Sequence, residues 1–183
     1  GSLWIEADDF MAEPIPKYKR LTPNGPECRL KGAYLIKCVG YETDENGNVT
    51  EIAAEYDPNS RGGDPADGRK VKGATIHWVD AATAVDAEVR LYDNLFTDAN
   101  PDAADKDFMD CLNPDSLEVL TDCKVEAGLA AVADSYAAGH ETGKTAPGFQ
   151  FMRLGYFCLD NKDTKAGHPV FNRSVSLKDS FKK

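Results

Sequence analysis

The chain has 183 residues, 42% hydrophobic and 28% charged, a balance that suits one large globular domain or two small ones. No apolar run approaches the roughly 20 residues that span a bilayer, which argues against a membrane protein and against a membrane partner. A formal net charge of −10 argues, taken whole, against a polyanionic partner.

The distribution of that charge points the other way. Residues 86–134 carry thirteen acidic side chains against Arg90, Lys106 and Lys124, so the rest of the chain is neutral. Residues 13–41 carry six Lys and Arg against Glu13 and Glu27, and binding follows the local field, not the total. The opening GSLWIEADDF lacks the basic-then-apolar pattern of a signal peptide. Gly1 and Ser2 read as a cloning remnant, and the chain as a piece of something longer.

In chain order, RLTPNGPECRL (20–30) predicts two short strands about a Pro-Asn-Gly-Pro turn. AYLIKCVGYET (33–43) and VTEIAAEYD (49–57) flank Asn46-Gly47, the signature of a tight hairpin. Asp57–Gly68, dense in Gly, Pro and Asp, is the expected linker. RKVKGATIHWVD (69–80) alternates as a strand, with Ala74, Ile76 and Trp78 on one parity. AEVRLYDNLF (87–96) is another, with Val89 and Leu91 toward the core. NPDAADKDFMDCLNPD (100–115) predicts a short helix or helical turn, followed by a strand from Leu117. Lys124–Gly143 is Ala-rich, with Leu129, Val132 and Tyr136 at helical spacing. GFQFMRLGYFCLDN (148–161) predicts one strand, and PVFNRSVSLKDSF (169–181) a last strand with a polar tail. The sum is mainly β with one or two short helices, and favours small β-barrels over a parallel sheet.

Catalytic signatures are missing. GxxxxGK[ST], GxGxxG and GxSxG do not occur, so neither a catalytic site nor a bound cofactor is expected here. The five cysteines (28, 38, 111, 123 and 158) form no CxxC pair, and His77, His140 and His168 lie far apart. Reduced thiols and no metal site follow. Cys28 beside Arg29 is considered as a low-pKa nucleophile and set aside for want of a nearby His. The acidic run lacks the Gly and terminal Glu of a calcium loop.

The string DPADGRKVKGATIHWVDAATAVDAEVRLYDNLF (64–96) resembles the C-terminal anticodon-binding region of glutaminyl-tRNA synthetase, a class I aminoacyl-tRNA synthetase. KYKRL, ECRLKGAYLIK, NPDSLEVL, FQFMRLGYFCLD and PVFNRSVSLKD agree in order. The glutamyl enzymes of archaeal and eukaryotic type are less similar, and their anticodon-binding module is the alternative reading within the same class. The resemblance implies two barrels of the ribosomal L25-like type. Residues 1–62 would be the remainder of an incomplete first barrel; residues 63–183 would be the second, with a helical insertion at about 124–143 and a C-terminal strand. It implies a tRNA anticodon recognition module whose partners are the glutamine isoacceptor's anticodon stem-loop and the catalytic domain of the same polypeptide. ATP and magnesium belong to that catalytic domain, whose HIGH-like and KMSK-like signatures this chain lacks. A cytoplasmic monomer is implied. The reading from another class is a non-enzymatic L25-like domain that docks a basic protein through its acidic face.

Carried over by motif, Lys17, Lys19 and Arg20 of KYKRL, Arg29 and Lys31 of ECRLKG, and Gln150 and Arg153 of FQFMRLGY line pockets for anticodon bases. Lys17 stands where other members have Gln, and Lys31 where some have Arg. Unstacked RNA bases are read by stacking and base-edge hydrogen bonds, and the planar fork of Arg serves both. Arg69, Lys70 and Lys72 of GRKVKG are expected as RNA contacts or as supports of the junction between barrels.

Overall fold

The computed structural model describes residues 1–103, 105–139 and 145–177. They divide after Ala82 into two compact units, both mainly β.

The first unit contains β1 (Leu3–Ile5), β2 (Cys28–Leu30), β3 (Leu35–Thr43), β4 (Val49–Tyr56), β5 (Thr75–Ile76) and β6 (Trp78–Asp80). Four strands form a sheet in the order β4-β3-β2-β5, while β1 pairs separately with β6. The β3–β4 hairpin is the one predicted from Asn46-Gly47. The Asp44 carboxylate accepts from the backbone N–H of Asn46 (2.9 Å) and Asn48 (2.8 Å), and Gly47 takes φ +83°. The other predicted hairpin does not form. Its turn exists, with Gly25 N–H donating to Thr22 O at 3.0 Å, but Leu21 makes only a parallel bridge to Phe10. Pro23 and Pro26 have no N–H to continue a ladder, so β2 pairs antiparallel with β3 and parallel with β5. The strand predicted at 69–80 is shorter and breaks at His77 into β5 and β6, which serve different sheets.

The expected linker is packed structure. Ser60 is fully buried; its Oγ accepts from Leu35 N at 2.9 Å and donates to Asp57 O at 2.7 Å. Gly62 N–H reaches Ala33 O at 2.6 Å. Turn-forming residues here fold the chain back on the sheet and satisfy its polar groups, so the units part after Ala82 and not at 62/63. Arg69 fastens the end of this loop. Its Nε and Nη2 donate to the two oxygens of Glu27 (3.0 and 2.8 Å), Nη2 also to Asp57 (2.6 Å), and Nη1 to Asp67 (2.9 Å). The core beneath holds Leu21, Cys28, Leu30, Ile36, Cys38 and Ile76. Gly73 passes so close to β2 that a Cβ there would lie 2.1 Å from Glu27 O.

The second unit contains β7 (Val85–Tyr92), β8 (Leu117–Val125), α1 (Ala127–Gly139), β9 (Gly148–Phe151), β10 (Gly155–Leu159) and β11 (Val170–Ser176). Its strand order is β8-β7-β11-β10-β9, antiparallel except for β11 beside β7. The short helix expected near residue 108 is one 3₁₀ turn, Phe108–Cys111, whose start is capped by Asp107 accepting from Met109 N–H. Helix α1 starts later than predicted because Lys124 and Val125 end β8; residues 140–143 of that expectation, with His140, lie outside the described residues. Leu129, Ala130, Ala133 and Tyr136 pack on the sheet core of Val89, Phe157, Leu159 and Phe171. Val132, predicted on that stripe, is 45% exposed; the small alanines instead form the contact row. The single strand predicted at 148–161 is a hairpin, reversed at 152–154, where Arg153 has φ +68°. Among the described residues no helix is long and apolar enough to cross a membrane.

Two outcomes test this account. Gly73→Ala drives a methyl group into the Glu27 carbonyl and should cost about 1–3 kcal/mol, read as a lower urea midpoint at unchanged slope. The hydrogen bonds of Arg69 hold the carboxyls of Glu27 and Asp57 below their ordinary range, and its backbone N–H chiefly does so for Asp67. Depressed folded-state values stabilise above the ordinary carboxylate range, near about pH 4, and that contribution is lost as pH falls through the folded values. Thermal midpoints should therefore fall with acid less steeply in Arg69→Met than in the parent chain; equal slopes would remove the assignment.

Candidate nucleic-acid interface

Ile15-Pro16-Lys17-Tyr18 forms a turn closed by Tyr18 N–H to Ile15 O at 3.1 Å. Pro16 fixes φ at the second position, and Lys17 takes φ +70° at the third. Below it the chain is tied to residues 8 and 9. The Tyr18 hydroxyl donates to Asp8 O at 2.7 Å, and Arg20 Nη1 to the same oxygen at 3.1 Å. Arg20 Nε lies 3.2 Å from the carboxylate of fully buried Asp9. Burial raises the Tyr18 pKa, so its O–H remains a donor at neutral pH. The result is an open groove of about 390 Å³ lined by Lys17, Lys19 and Arg20 with Ile15, Pro16, Tyr18 and Ala74.

Ala74 joins this groove to the second cationic motif. Its N–H donates to Lys19 O at 2.7 Å, and its carbonyl accepts from Arg29 N–H at 3.0 Å. The Arg29 guanidinium is engaged with the packed loop: Nε donates to Gly63 O at 2.8 Å, and Nη2 lies 3.6 Å from Asp64. The Lys31 side chain is exposed, while its carbonyl accepts from Trp78 Nε1 at 3.0 Å. Lys70 and Lys72 are exposed on the approach to β5. Arg69, by contrast, is surrounded by three carboxylates.

The third motif lies in the second unit. Gln150 is exposed on β9, on the opposite parity from Phe149 and Phe151. Arg153 is exposed at the tip of the β9–β10 hairpin. Sequence reading missed Tyr156, which stands cross-strand from Gln150 and is 47% exposed. That pairing puts an aromatic face beside an amide, and the signal for it is the spacing of the two residues about a turn. Ile15, Pro16 and Ala74 were missed because they are uncharged.

Burial pushes the Cys28 thiol up to about 11, the reverse of an activated nucleophile. Among the described residues no group of three or more His, Cys, Asp or Glu could hold a metal ion.

Two family models match, both described as the anti-codon binding domain of tRNA synthetases class I (E and Q), over residues 1–57 and 75–160. Curated relatives named glutamine–tRNA ligase are similar along nearly the whole chain. The protein of Pseudomonas syringae pv. tomato is 49% identical over 181 residues, 98% of this chain and 29% of the relative. That of Bordetella avium is 51% identical over 180 residues, 98% of this chain and 28% of the relative. That of Vibrio cholerae serotype O1 is 50% identical over 181 residues, 99% of this chain and 30% of the relative. The chain thus spans under a third of the length of these relatives. Matched in both of its units, it belongs to the anticodon-binding domain family of the class I (E and Q) tRNA synthetases.

Proposed function

We propose that this chain is the anticodon-recognition module of a glutaminyl-tRNA synthetase, whose catalytic domain ligates glutamine to its tRNA using ATP and magnesium. The observation that carries the reading is the groove at residues 15–20, which presents exposed Lys17 and Lys19 beside a half-buried Arg20. An open cationic groove accepts a phosphate backbone. At β9–β10, Gln150 has both donor and acceptor for a base edge, Tyr156 offers a stacking face, and Arg153 suits a phosphate or a base. Arg20 and Arg29 act chiefly by shaping the surface, since both guanidiniums already hold protein carbonyls and carboxylates. Arg69 supports the loop and does not touch RNA. The parent is a cytoplasmic monomer in this reading; five free cysteines fit a reducing compartment.

The test is a titration with glutamine tRNA, and with the same tRNA altered at its central anticodon base, at two salt concentrations. Lys17→Ala combined with Lys19→Ala should weaken both tRNAs alike and reduce the salt slope by roughly two, about one per phosphate contact. Arg153→Ala and Gln150→Ala should narrow the preference for the native anticodon by about 1–3 kcal/mol per base contact. Affinities unchanged in all of these variants would sink the assignment of the site.

A further inference from the structure

The first unit has four arginines, Arg20, Arg29, Arg61 and Arg69. Three are tied to carbonyls or carboxylates of their own unit. Arg61 is exposed and makes no hydrogen bond or ion pair with any described residue. It lies on the packed loop 57–69, outside the cationic motifs of the sequence, and the loop holds it firmly. Ser60 to Gly63 is a turn closed by Gly63 N–H to Ser60 O at 2.8 Å, with Arg61 second and Gly62 third. Gly62 takes φ +95°, as the third residue of a type II turn requires. On one side of Arg61, Ser60 is fully buried and bonded to Leu35 and Asp57. On the other, Gly62 N–H is anchored on Ala33 O. The ends of the loop are joined by Arg69 on Asp57 at 2.6 Å. Compact surface loops closed in this way are frequently functional.

The surroundings select what Arg61 can meet. The loop's carboxylates are already engaged, Asp57 and Asp67 by Arg69 and Asp64 by Arg29, so Arg61 carries the uncompensated charge. Its neighbours in the turn, a buried serine and two glycines, offer neither a stacking ring nor an amide for a base edge. The loop also continues into the cationic surface. Gly63 O accepts from Arg29 Nε, and Arg29 N–H and Lys19 O are both bonded to Ala74, which lines the groove. Resting on the anticodon-reading assignment above, we infer that Arg61 is a further tRNA contact that grips a backbone phosphate. It fixes the path of the strand and reads no base, and its planar fork matches a phosphate with two parallel hydrogen bonds.

The experiment titrates this chain with glutamine tRNA, native or altered at the central anticodon base, at two salt concentrations. Arg61→Ala should bind both tRNAs roughly 3- to 10-fold more weakly and reduce the salt slope by about one. Its thermal midpoint should match the parent's, because the side chain has no partner among the described residues. Arg61→Lys keeps the charge and should restore the slope. Lys37→Ala removes the same charge from an exposed position of β3 and should leave the slope at the parent value. Parent-like binding by Arg61→Ala, an equal effect of Lys37→Ala, or no recovery in Arg61→Lys would overturn the contact while leaving anticodon reading intact. A loss confined to the native anticodon would make Arg61 a base reader and overturn the phosphate assignment. A parent chain that binds no tRNA would remove both the contact and the reading on which it rests.

Discussion

The first unit depends on how closely residues 73–76 pass beside β2. Gly73 has no room for a side chain against the Glu27 carbonyl, Ala74 is hydrogen-bonded to Lys19 on one side and Arg29 on the other, and Ile76 is fully buried. Two charged motifs ten residues apart in sequence are thereby fixed to one short apolar passage. The entry to that passage is held by Arg69 and its three carboxylates. Local cation geometry here follows from a backbone packing constraint and not from the cations themselves, which would repel one another.

Arginine and lysine divide the work in this unit. Arg20, Arg29 and Arg69 each turn the planar guanidinium inward, onto Asp9, the Gly63 carbonyl with Asp64, and Glu27 with Asp57 and Asp67. A fork with several fixed donors suits such multidentate ties, while a lysine ammonium on a flexible stem suits a solvated surface. A positive segment inside an acidic protein therefore presents a smaller outward charge than its composition suggests, and that charge is concentrated on its lysines.

The structure was legible in the sequence where residue type and backbone need agreed. Asn46-Gly47 announced the β3–β4 hairpin, and the alanine run announced α1. The two larger misreadings have one origin each. Asp57–Gly68 has the composition of a linker, yet its turns fold onto the sheet because Ser60, Gly62 and Gly63 find partners there, which composition does not encode. The β9–β10 hairpin was hidden because Arg153 occupies the position where Gly or Asn would have signalled a reversal. The candidate site was legible as charge at residues 17–31 and as motif at 150–153. The inward turn of the arginines, and Tyr156 across from Gln150, depend on tertiary register that no local pattern carries.

The placement of β11 reaches beyond the folded state. Although last in sequence, it is the central strand of the second unit, antiparallel to β10 and parallel to β7. Phe171, on this strand, is fully buried and belongs to the core on which α1 packs. On the ribosome β7 and β8 can zip early as neighbours, but β9 and β10 have nothing to join them until residues 170–176 emerge. Such distant pairing is slow and leaves strand edges exposed meanwhile. A premature stop before Val170 would therefore take out the middle of the sheet and release two half-sheets with open edges, the kind of nascent product that chaperones and proteases receive.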